Sequence, residues 1–144
     1  MTLKASELKV GDVHSEVVVD DLTRTQIVQY AGASGDYNPL HSDEIFATQV
    51  AGFPSIFAHG MLTMGLTGKM VTNYVGDGGL LSFGGRFQAQ VWPGDTLTAR
   101  AEVVDVRDGD DGAGVVELRI VTTNQDGVDV FSGSATASIG AGSR

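Results

Sequence analysis

The 144-residue sequence contains no cysteine, which excludes disulfide bonds and thiolate metal sites. Basic residues are scarce, since nine lysines and arginines accompany 18 aspartates and glutamates, and the formal net charge at pH 7 is −9. Nucleic acid is therefore a poor partner, because neutralising its phosphates requires clustered lysine and arginine. The acidity is instead typical of a protein whose charge keeps it in solution.

Long apolar runs are also missing. The richest apolar stretch, residues 58–75, is interrupted by glycines, Lys69 and Asn73, whereas a membrane span requires roughly 20 mostly apolar residues. We therefore expect a buried helix there and no membrane partner. Residues 1–10 contain no apolar run that could serve as a signal peptide. These features predict a cytoplasmic protein, and its length and 42% hydrophobic content predict one domain over residues 1–144.

The first half of the chain, up to about residue 76, is predicted to contain one strand followed by helices and loops. The β-branched residues within 13–19 favour a strand. Thr23 and Gln26 have the spacing of a helical capping box, and Gly32 and Gly35 are expected to end that helix.

A turn-rich loop follows at residues 34–41, and then a short helix at about 43–50, capped by Ser42 or Asp43. The apolar segment at about 60–75 is predicted to be a long helix, apolar on nearly all sides and therefore enclosed.

The second half alternates between apolar and polar residues with a period of two, which indicates half-buried strands. The alternation covers residues 81–91, 97–103, 116–120 and 131–139. Turns are predicted at Pro93-Gly94-Asp95 and Asp126-Gly127, an exposed hairpin loop at 108–114, and a frayed tail after Ile139. Joined by tight turns, these strands would form an antiparallel meander. With the first strand, they predict an α+β fold in which about five strands pack on the long helix.

Asp36 and His41 are the candidate acid–base pair. They lie five residues apart in a loop stiffened by Pro39, so their side chains could converge on one water molecule. Histidine, with an unperturbed pKa of about 6.5, is the natural proton carrier at neutral pH, and a carboxylate can orient water. On spacing alone, however, the favoured interpretation is a structural turn, because Gly, Asp, Asn and Pro are common turn residues.

The start of the long helix provides a second feature. The first amides of a helix lack intrahelical partners, and their dipole stabilises negative charge. Gly60 has no side chain, so the oxygen of a ligand could approach its N–H closely. The alternative is an ordinary glycine at a helix start. His59 lies beside it, at a position where sites collect, whereas His14 is interpreted as a surface residue.

These residues resemble a known motif, the hydratase 2 motif of the MaoC-like family. The family includes R-specific enoyl-CoA hydratases and (3R)-hydroxyacyl thioester dehydratases. The similarity is strongest in Gly35-Asp36-Tyr37-Asn38-Pro39-Leu40-His41 and Ala58-His59-Gly60-Met61-Leu62, and it covers residues 8–139. The run from His59 to Gly65 is most similar to mycobacterial dehydratases of hydroxyacyl groups carried on acyl carrier protein.

The resemblance implies a hot-dog fold, in which a sheet wraps one long helix. It also implies that Asp36 and His41 activate water, that the Gly60 N–H polarises the thioester carbonyl, and that Asn38 braces the loop. The reaction would be reversible hydration of a trans-2-enoyl thioester to a (3R)-hydroxyacyl thioester. No metal or redox cofactor is implied, since coenzyme A or the pantetheine of a carrier protein belongs to the substrate.

Three further expectations accompany the resemblance. His59 and Arg86 are candidate substrate-binding residues, Arg86 for the coenzyme A phosphates, although an ordinary solvated strand residue is the favoured interpretation of Arg86. Gly65 stands where some R-specific hydratases have a serine, which puts a side-chain role there in doubt. Members of the family form dimers through a continuous sheet, so a homodimer is expected, with a heteromer containing a related subunit as the alternative.

Two other functions stay open. A hot-dog thioesterase would place a carboxylate on or near the central helix, but residues 58–75 contain no aspartate or glutamate. A non-catalytic, acyl-binding subunit of a heteromeric dehydratase could lose Asp36 or His41, and this chain contains both.

Overall fold

One antiparallel sheet of five strands dominates the computed structural model, which describes residues 3–109 and 113–140. The strands lie in the order β1-β3-β4-β5-β2. Their bounds are β1 Val13–Val19, β2 Leu80–Phe87, β3 Leu97–Asp108, β4 Gly114–Thr123 and β5 Asp129–Ile139. Strands β1 and β2 therefore form the two edges of the sheet.

Strand β2 is not part of a four-strand meander, and that prediction is wrong. Only β3, β4 and β5 follow one another as neighbours, while β2 pairs with β5. The chain leaves the sheet after Phe87 instead of turning back, so the strand predicted to reach residue 91 ends early. The Pro93-Gly94-Asp95 turn bonds to Leu22, whose N–H donates to Asp95 O at 2.9 Å and whose carbonyl accepts from Gly94 N–H at 2.7 Å. Residues 88–96 thus cross from β2, at one edge of the sheet, to β3, which lies beside β1 near the other edge.

The first helix, α1 (Arg24–Ser34), begins with the predicted capping box between Thr23 and Gln26. Its end differs slightly from the prediction, because Gly32 lies inside the helix. Gly35 alone ends it, with a φ of 76° that a side chain would disfavour and an N–H that donates to Ala31 O at 3.0 Å.

Short helical segments occupy the connections. Turns of 3-10 helix form at Ala5–Glu7 and Pro39–His41. The short helix predicted over 43–50 is mostly a wider π-helical turn, Phe46–Val50. Asp43, before that turn, accepts a hydrogen bond from the Phe46 N–H at 3.1 Å.

The long helix, α2 (Gly60–Val75), packs across the inner face of the sheet. Its side chains Met70, Val71 and Val75 meet the alternate residues of β3, β4 and β5 that point inward, and the central ones are fully buried. The helix is not enclosed on all sides, contrary to the prediction, because a single sheet covers only one side of it. Met61 is 55% exposed, and Gly65, Lys69 and Asn73 continue the exposed stripe at intervals of four residues.

A sheet curved around one long helix is the hot-dog arrangement, so the expected α+β fold is confirmed. Parts of two predicted features, the loop at 108–114 and the tail after Ile139, lie outside the described residues. The described residues at the two ends of that loop are joined by a hydrogen bond, in which Gly109 N–H donates to Ala113 O at 2.7 Å. No helix in the described parts of the chain is long and apolar enough to cross a membrane.

Candidate active site

The loop after α1 is shaped by its own side chains. The carboxylate of Asp36 accepts a hydrogen bond from the Asn38 N–H at 3.2 Å, and Asn38 Oδ1 accepts one from the Leu40 N–H at 3.0 Å. Asn38 thereby caps the 3-10 turn that contains His41. The turn chemistry favoured on spacing alone is therefore present, and the same loop also brings Asp36 and His41 together.

His41 is buried, with 9% of its surface exposed, and the backbone fixes its orientation. Its Nδ1 lies 2.7 Å from Phe57 O. A carbonyl oxygen only accepts hydrogen bonds, so Nδ1 must carry the hydrogen and Nε2 of the neutral ring is left as an acceptor. The Phe57 ring meets the imidazole edge-on, at 5.2 Å between centroids. His41 is thus set up to accept a proton at Nε2.

His59, the residue that precedes α2, lies directly against His41. The two rings stack with their centroids 3.8 Å apart and their planes 25° from parallel. His59 Nε2 lies 3.0 Å from the backbone oxygen of Asp36, to which it must donate. Within the described parts of the chain, His59 Nδ1 is buried without a hydrogen-bond partner.

Asp36, His41 and His59 form one cluster, in which one atom from each side chain lies within 4.8 Å of the others. Imidazole and carboxylate are metal ligands in general, but the stack argues against a metal here. Each imidazole lone pair lies in its ring plane, so two nearly parallel rings direct their lone pairs side by side and not toward one ion. The cluster therefore fits proton transfer better than metal binding.

Gly60, the first residue of α2, lines a cavity of about 270 Å³ with Thr63, Phe87 and Val130. Among the described residues no side chain caps this helix start, and the first N–H groups of a helix have no carbonyl one turn before them. A Cβ on Gly60 would lie 2.8 Å from the Phe87 ring. A side chain at residue 60 would therefore have to displace the Phe87 ring, and it would crowd any ligand that approaches the N–H.

The cavity and the Asp36–His41 loop meet along residues 57–60. Phe57 contributes to the cavity wall, and its carbonyl holds His41. His59 touches the loop, and Gly60 faces the cavity. The α2 N-terminus thus lines the cavity directly, whereas Asp36 and His41 are not among its lining residues and adjoin it through Phe57 and His59.

Two other residues considered from the sequence lie elsewhere. Arg86 borders a depression on the outer face of the sheet with Arg119 and Ser132, whereas its neighbour Phe87 faces the cavity. His14, interpreted as a surface residue, is in fact half-buried, because it stacks on Tyr74 at 4.5 Å between centroids and bonds to Glu16 at 2.8 Å. Neither Arg86 nor His14 joins the cluster.

Two residues that shape the site, Phe57 and Phe87, were not predicted from the sequence. Phe57 acts through its backbone oxygen, which every residue possesses, so no side-chain pattern could reveal it. Phe87 acts as the wall against Gly60. The alternation along β2 predicted that the Phe87 side chain points inward. Nothing in the sequence predicted that the end of β2 meets the start of α2.

Comparison with known families identifies the class to which this fold and site belong. The family model described as the MaoC like domain matches residues 8–125, and the chain belongs to that family. The resemblance inferred from the motif is therefore confirmed.

Individual relatives agree with this assignment. The 3-hydroxyacyl-thioester dehydratase Y of Mycobacterium tuberculosis is 41% identical over 90 residues, which are 60% of this chain and 31% of that protein. The mitochondrial 3-hydroxyacyl-[acyl-carrier-protein] dehydratase of Arabidopsis thaliana is 30% identical over 130 residues, which are 90% of this chain and 76% of that protein. Against the first three curated relatives, the match spans only 31%, 21% and 23% of their lengths.

Solved structures show the same fold. The R-hydratase PhaJ1 of Pseudomonas aeruginosa, in its unliganded form, superposes with a TM-score of 0.83 at 27% identity, covering 96% of this chain and 86% of that one. The (R)-hydratase of A. caviae involved in PHA biosynthesis gives a TM-score of 0.80 at 27% identity, covering 92% of this chain and 98% of that one.

Proposed function

We propose that this chain catalyses the reversible hydration of trans-2-enoyl thioesters to (3R)-hydroxyacyl thioesters in fatty acyl metabolism, as a hydro-lyase. The observation that supports it most is the meeting of two features along residues 57–60. An acid–base pair, Asp36 and His41, lies on one side, and a helix start opens into a cavity on the other. The names of the relatives, which are hydratases and dehydratases, support the same reaction.

In the hydration direction, the Asp36 carboxylate orients a water molecule and His41 Nε2 accepts its proton. The water oxygen bonds to C3 of the substrate as the C2–C3 double bond opens, and negative charge moves onto the thioester oxygen. The Gly60 N–H stabilises that charge. The pair then returns one proton to C2, so one water molecule has been added and nothing is oxidised or reduced. Dehydration is the reverse path through the same groups.

This chemistry requires no metal or redox cofactor, because the thioester and the side chains provide every group that reacts. The acyl group would arrive on coenzyme A or on the pantetheine of an acyl carrier protein. Asn38 would support the loop while Asp36 and His41 react. A role for Arg86 at the coenzyme A phosphates stays a prediction, and its place on the outer face of the sheet gives it no support.

We further infer that the chain forms a homodimer through β2. This strand is an edge of the sheet, and its Leu81 and Phe87 are 62% and 49% exposed. Unpaired strand edges are aggregation hazards that a second subunit removes. A heteromer with a related subunit is the alternative, favoured by the likeness to the ChsH1-ChsH2 complex of Mycobacterium tuberculosis, at 26% identity and a TM-score of 0.73. A cytoplasmic location stays a prediction.

The two alternative functions have less support. A thioesterase would be expected to carry a carboxylate on or near the central helix, and α2 contains none. A non-catalytic subunit would not need a His41 held by Phe57 O and aligned beside Asp36.

The test is an assay with trans-2-enoyl-CoA esters, in which loss of enoyl absorbance is followed for the wild type, Asp36→Asn and His41→Ala. We expect turnover in the wild type and a loss of about 10²- to 10⁴-fold in each variant, the usual contribution of a positioned acid–base group. The proposal fails if the wild type is inactive both alone and with candidate partner subunits, or if the variants match it. Chiral analysis of the product separately tests the R assignment, which an (S) product would overturn.

A further inference from the structure

His59 connects the parts of the site, although it is too deeply buried to line the cavity. Only 2% of its surface is exposed. Its Nε2–H donates to the Asp36 backbone oxygen, one face of its ring stacks on His41, and Tyr30 of α1 meets the ring edge-on at 4.8 Å between centroids. Its own backbone leads directly into Gly60. A single side chain thus touches the carboxylate loop, the proton carrier and the helix start.

The hydrogen-bonding of His59 leaves it little chemistry of its own. Because Nε2 donates to a carbonyl, Nδ1 is the acceptor of the neutral ring, and Nδ1 is buried without a partner among the described residues. An acceptor closed off in this way cannot take a proton from bound water or from substrate. The burial also disagrees with the role of a substrate-binding residue that the sequence suggested for His59.

We propose that His59 is a positioning residue for the hydration reaction, which holds the Asp36 backbone by its Nε2–H and the His41 ring by stacking. This inference rests on the proposed function. Its physical basis is that the Asp36 loop carries the carboxylate, so losing the one bond from His59 to its backbone lets the carboxylate move relative to His41. Catalysis is sensitive to such movement, since a misplacement of about 1 Å can cost about 10²-fold in rate.

A matched pair of substitutions isolates the hydrogen bond. The amide nitrogen of Gln can occupy the place of His Nε2, whereas Asn reaches only to about the place of Nδ1 and cannot donate to Asp36 O. Both substitutions remove the ring and leave an amide, so they differ only in reach. We expect His59→Asn to lower kcat by about 10²-fold and His59→Gln by less than about tenfold, with KM within about threefold of the wild type in both.

Two outcomes would overturn the proposal. A rise in KM at unchanged kcat in both variants would mean that His59 binds substrate, and equal losses of kcat would mean that the Nε2 bond does not matter. Near-ultraviolet circular dichroism of each variant shows whether the fold persists.

A measurement on the unmodified protein keeps the proposal testable if the variants do not fold or if the enoyl substrates are not turned over. Two-dimensional ¹⁵N–¹H NMR of the histidine rings reports which nitrogen carries hydrogen. We expect His59 to carry it on Nε2 and His41 on Nδ1. Hydrogen on Nδ1 of His59 would overturn the positioning role, whatever the activity. Inactivity with the expected tautomers would instead count against the proposed reaction alone.

Discussion

The sheet and the Asp36–His41 loop are held in place by different kinds of interaction. Strands β3, β4 and β5 pair along their whole lengths, and inward residues such as Leu118 and Ile120 are fully buried. In the loop, position depends on a few single bonds from side chain to backbone, such as those of Asn38 and His59. The sheet is held by many equivalent interactions, so that losing one leaves its position unchanged, whereas the loop has no such reserve. Damage to the sheet should therefore affect stability, and damage to the loop should affect turnover.

The largest stability effect is expected in the sheet, from Leu118→Ala. Leu118 lies in β4, the middle strand of the sheet, and packs in the main core with 0% exposure. Removing a buried leucine side chain typically costs about 2–5 kcal/mol. Urea unfolding should show a loss in this range, while turnover per folded molecule stays unchanged. Val121→Ala, on the half-exposed opposite face of the same strand, is the control and should cost less. If folded Leu118→Ala turned over substrate more slowly than the wild type, stability and turnover would not depend on separate regions as expected.

The complementary substitution is Gly60→Ala at the start of α2, which should affect turnover. The new Cβ would lie 2.8 Å from the Phe87 ring, at the helix start that faces the cavity. The N–H of residue 60 is retained, but the added methyl group would crowd the place where a substrate oxygen approaches it. We therefore expect a loss of up to about 10²-fold in kcat/KM, the usual effect of a weakened oxyanion contact. The control is Gly65→Ala in the same helix, where a Cβ would meet nothing within 4 Å. Gly65→Ala should raise the free energy of unfolding by about 0.5–1 kcal/mol and leave kcat/KM unchanged. If both variants lowered kcat/KM equally, the effect would not be specific to the helix start at Gly60.

A third substitution lies where helix and sheet meet. The hydroxyls of Thr67 in α2 and Thr122 in β4 are buried and lie 2.7 Å apart. Thr67→Val leaves the Thr122 hydroxyl buried without its partner and should cost about 1–3 kcal/mol. The double variant Thr67→Val, Thr122→Val replaces both groups with similar shapes and should recover most of that loss in thermal unfolding. Without such recovery, packing and not the hydrogen bond would explain the cost.

The smallest effect is expected at the β1 edge. Burial raises the pKa of Glu16, but hydrogen bonds from His14 and Asn73 outweigh it and lower the pKa below 4.5, its ordinary value. Glu16 therefore adds stability that is fully present above pH 4.5 and is lost as the pH falls through the lower, folded-state pKa. The advantage of the wild type over Glu16→Gln should be under about 1 kcal/mol and should shrink in acid. If the difference in unfolding free energy between the wild type and Glu16→Gln stayed constant as the pH falls below 4.5, the lowered pKa of Glu16 would be contradicted.

The same contrast explains what the sequence could predict. Alternation of apolar residues specifies strands and their inward faces, because burial acts on every second residue of a long segment. The capping box at Thr23 is likewise local, and it was predicted correctly. The order of the strands is not local. The placement of β2 beside β5 depends on the crossing of residues 88–96, whose turn bonds to Leu22, some 70 residues away in the chain.

The site shows the same limit. Asp36, His41 and Gly60 could be selected from residue type and motif, since each has a side chain, or the lack of one, suited to its chemistry. The stacking of His59 on His41 could not, because it depends on how two loops meet in space. The position of Arg86 on the outer face follows from the alternation that placed Phe87 inward.

The carbonyl oxygens of Phe57 and Asp36, which orient the two imidazoles, have a consequence for variation and design. These acceptors belong to the main chain, so exchanging the side chain at either position leaves them in place. Asp36→Asn, for example, changes the reacting group and keeps the oxygen that His59 contacts. Residue 57 can therefore diverge in sequence while its role in the site persists. A substitution there can change the shape of the cavity wall without changing which nitrogen of His41 carries hydrogen.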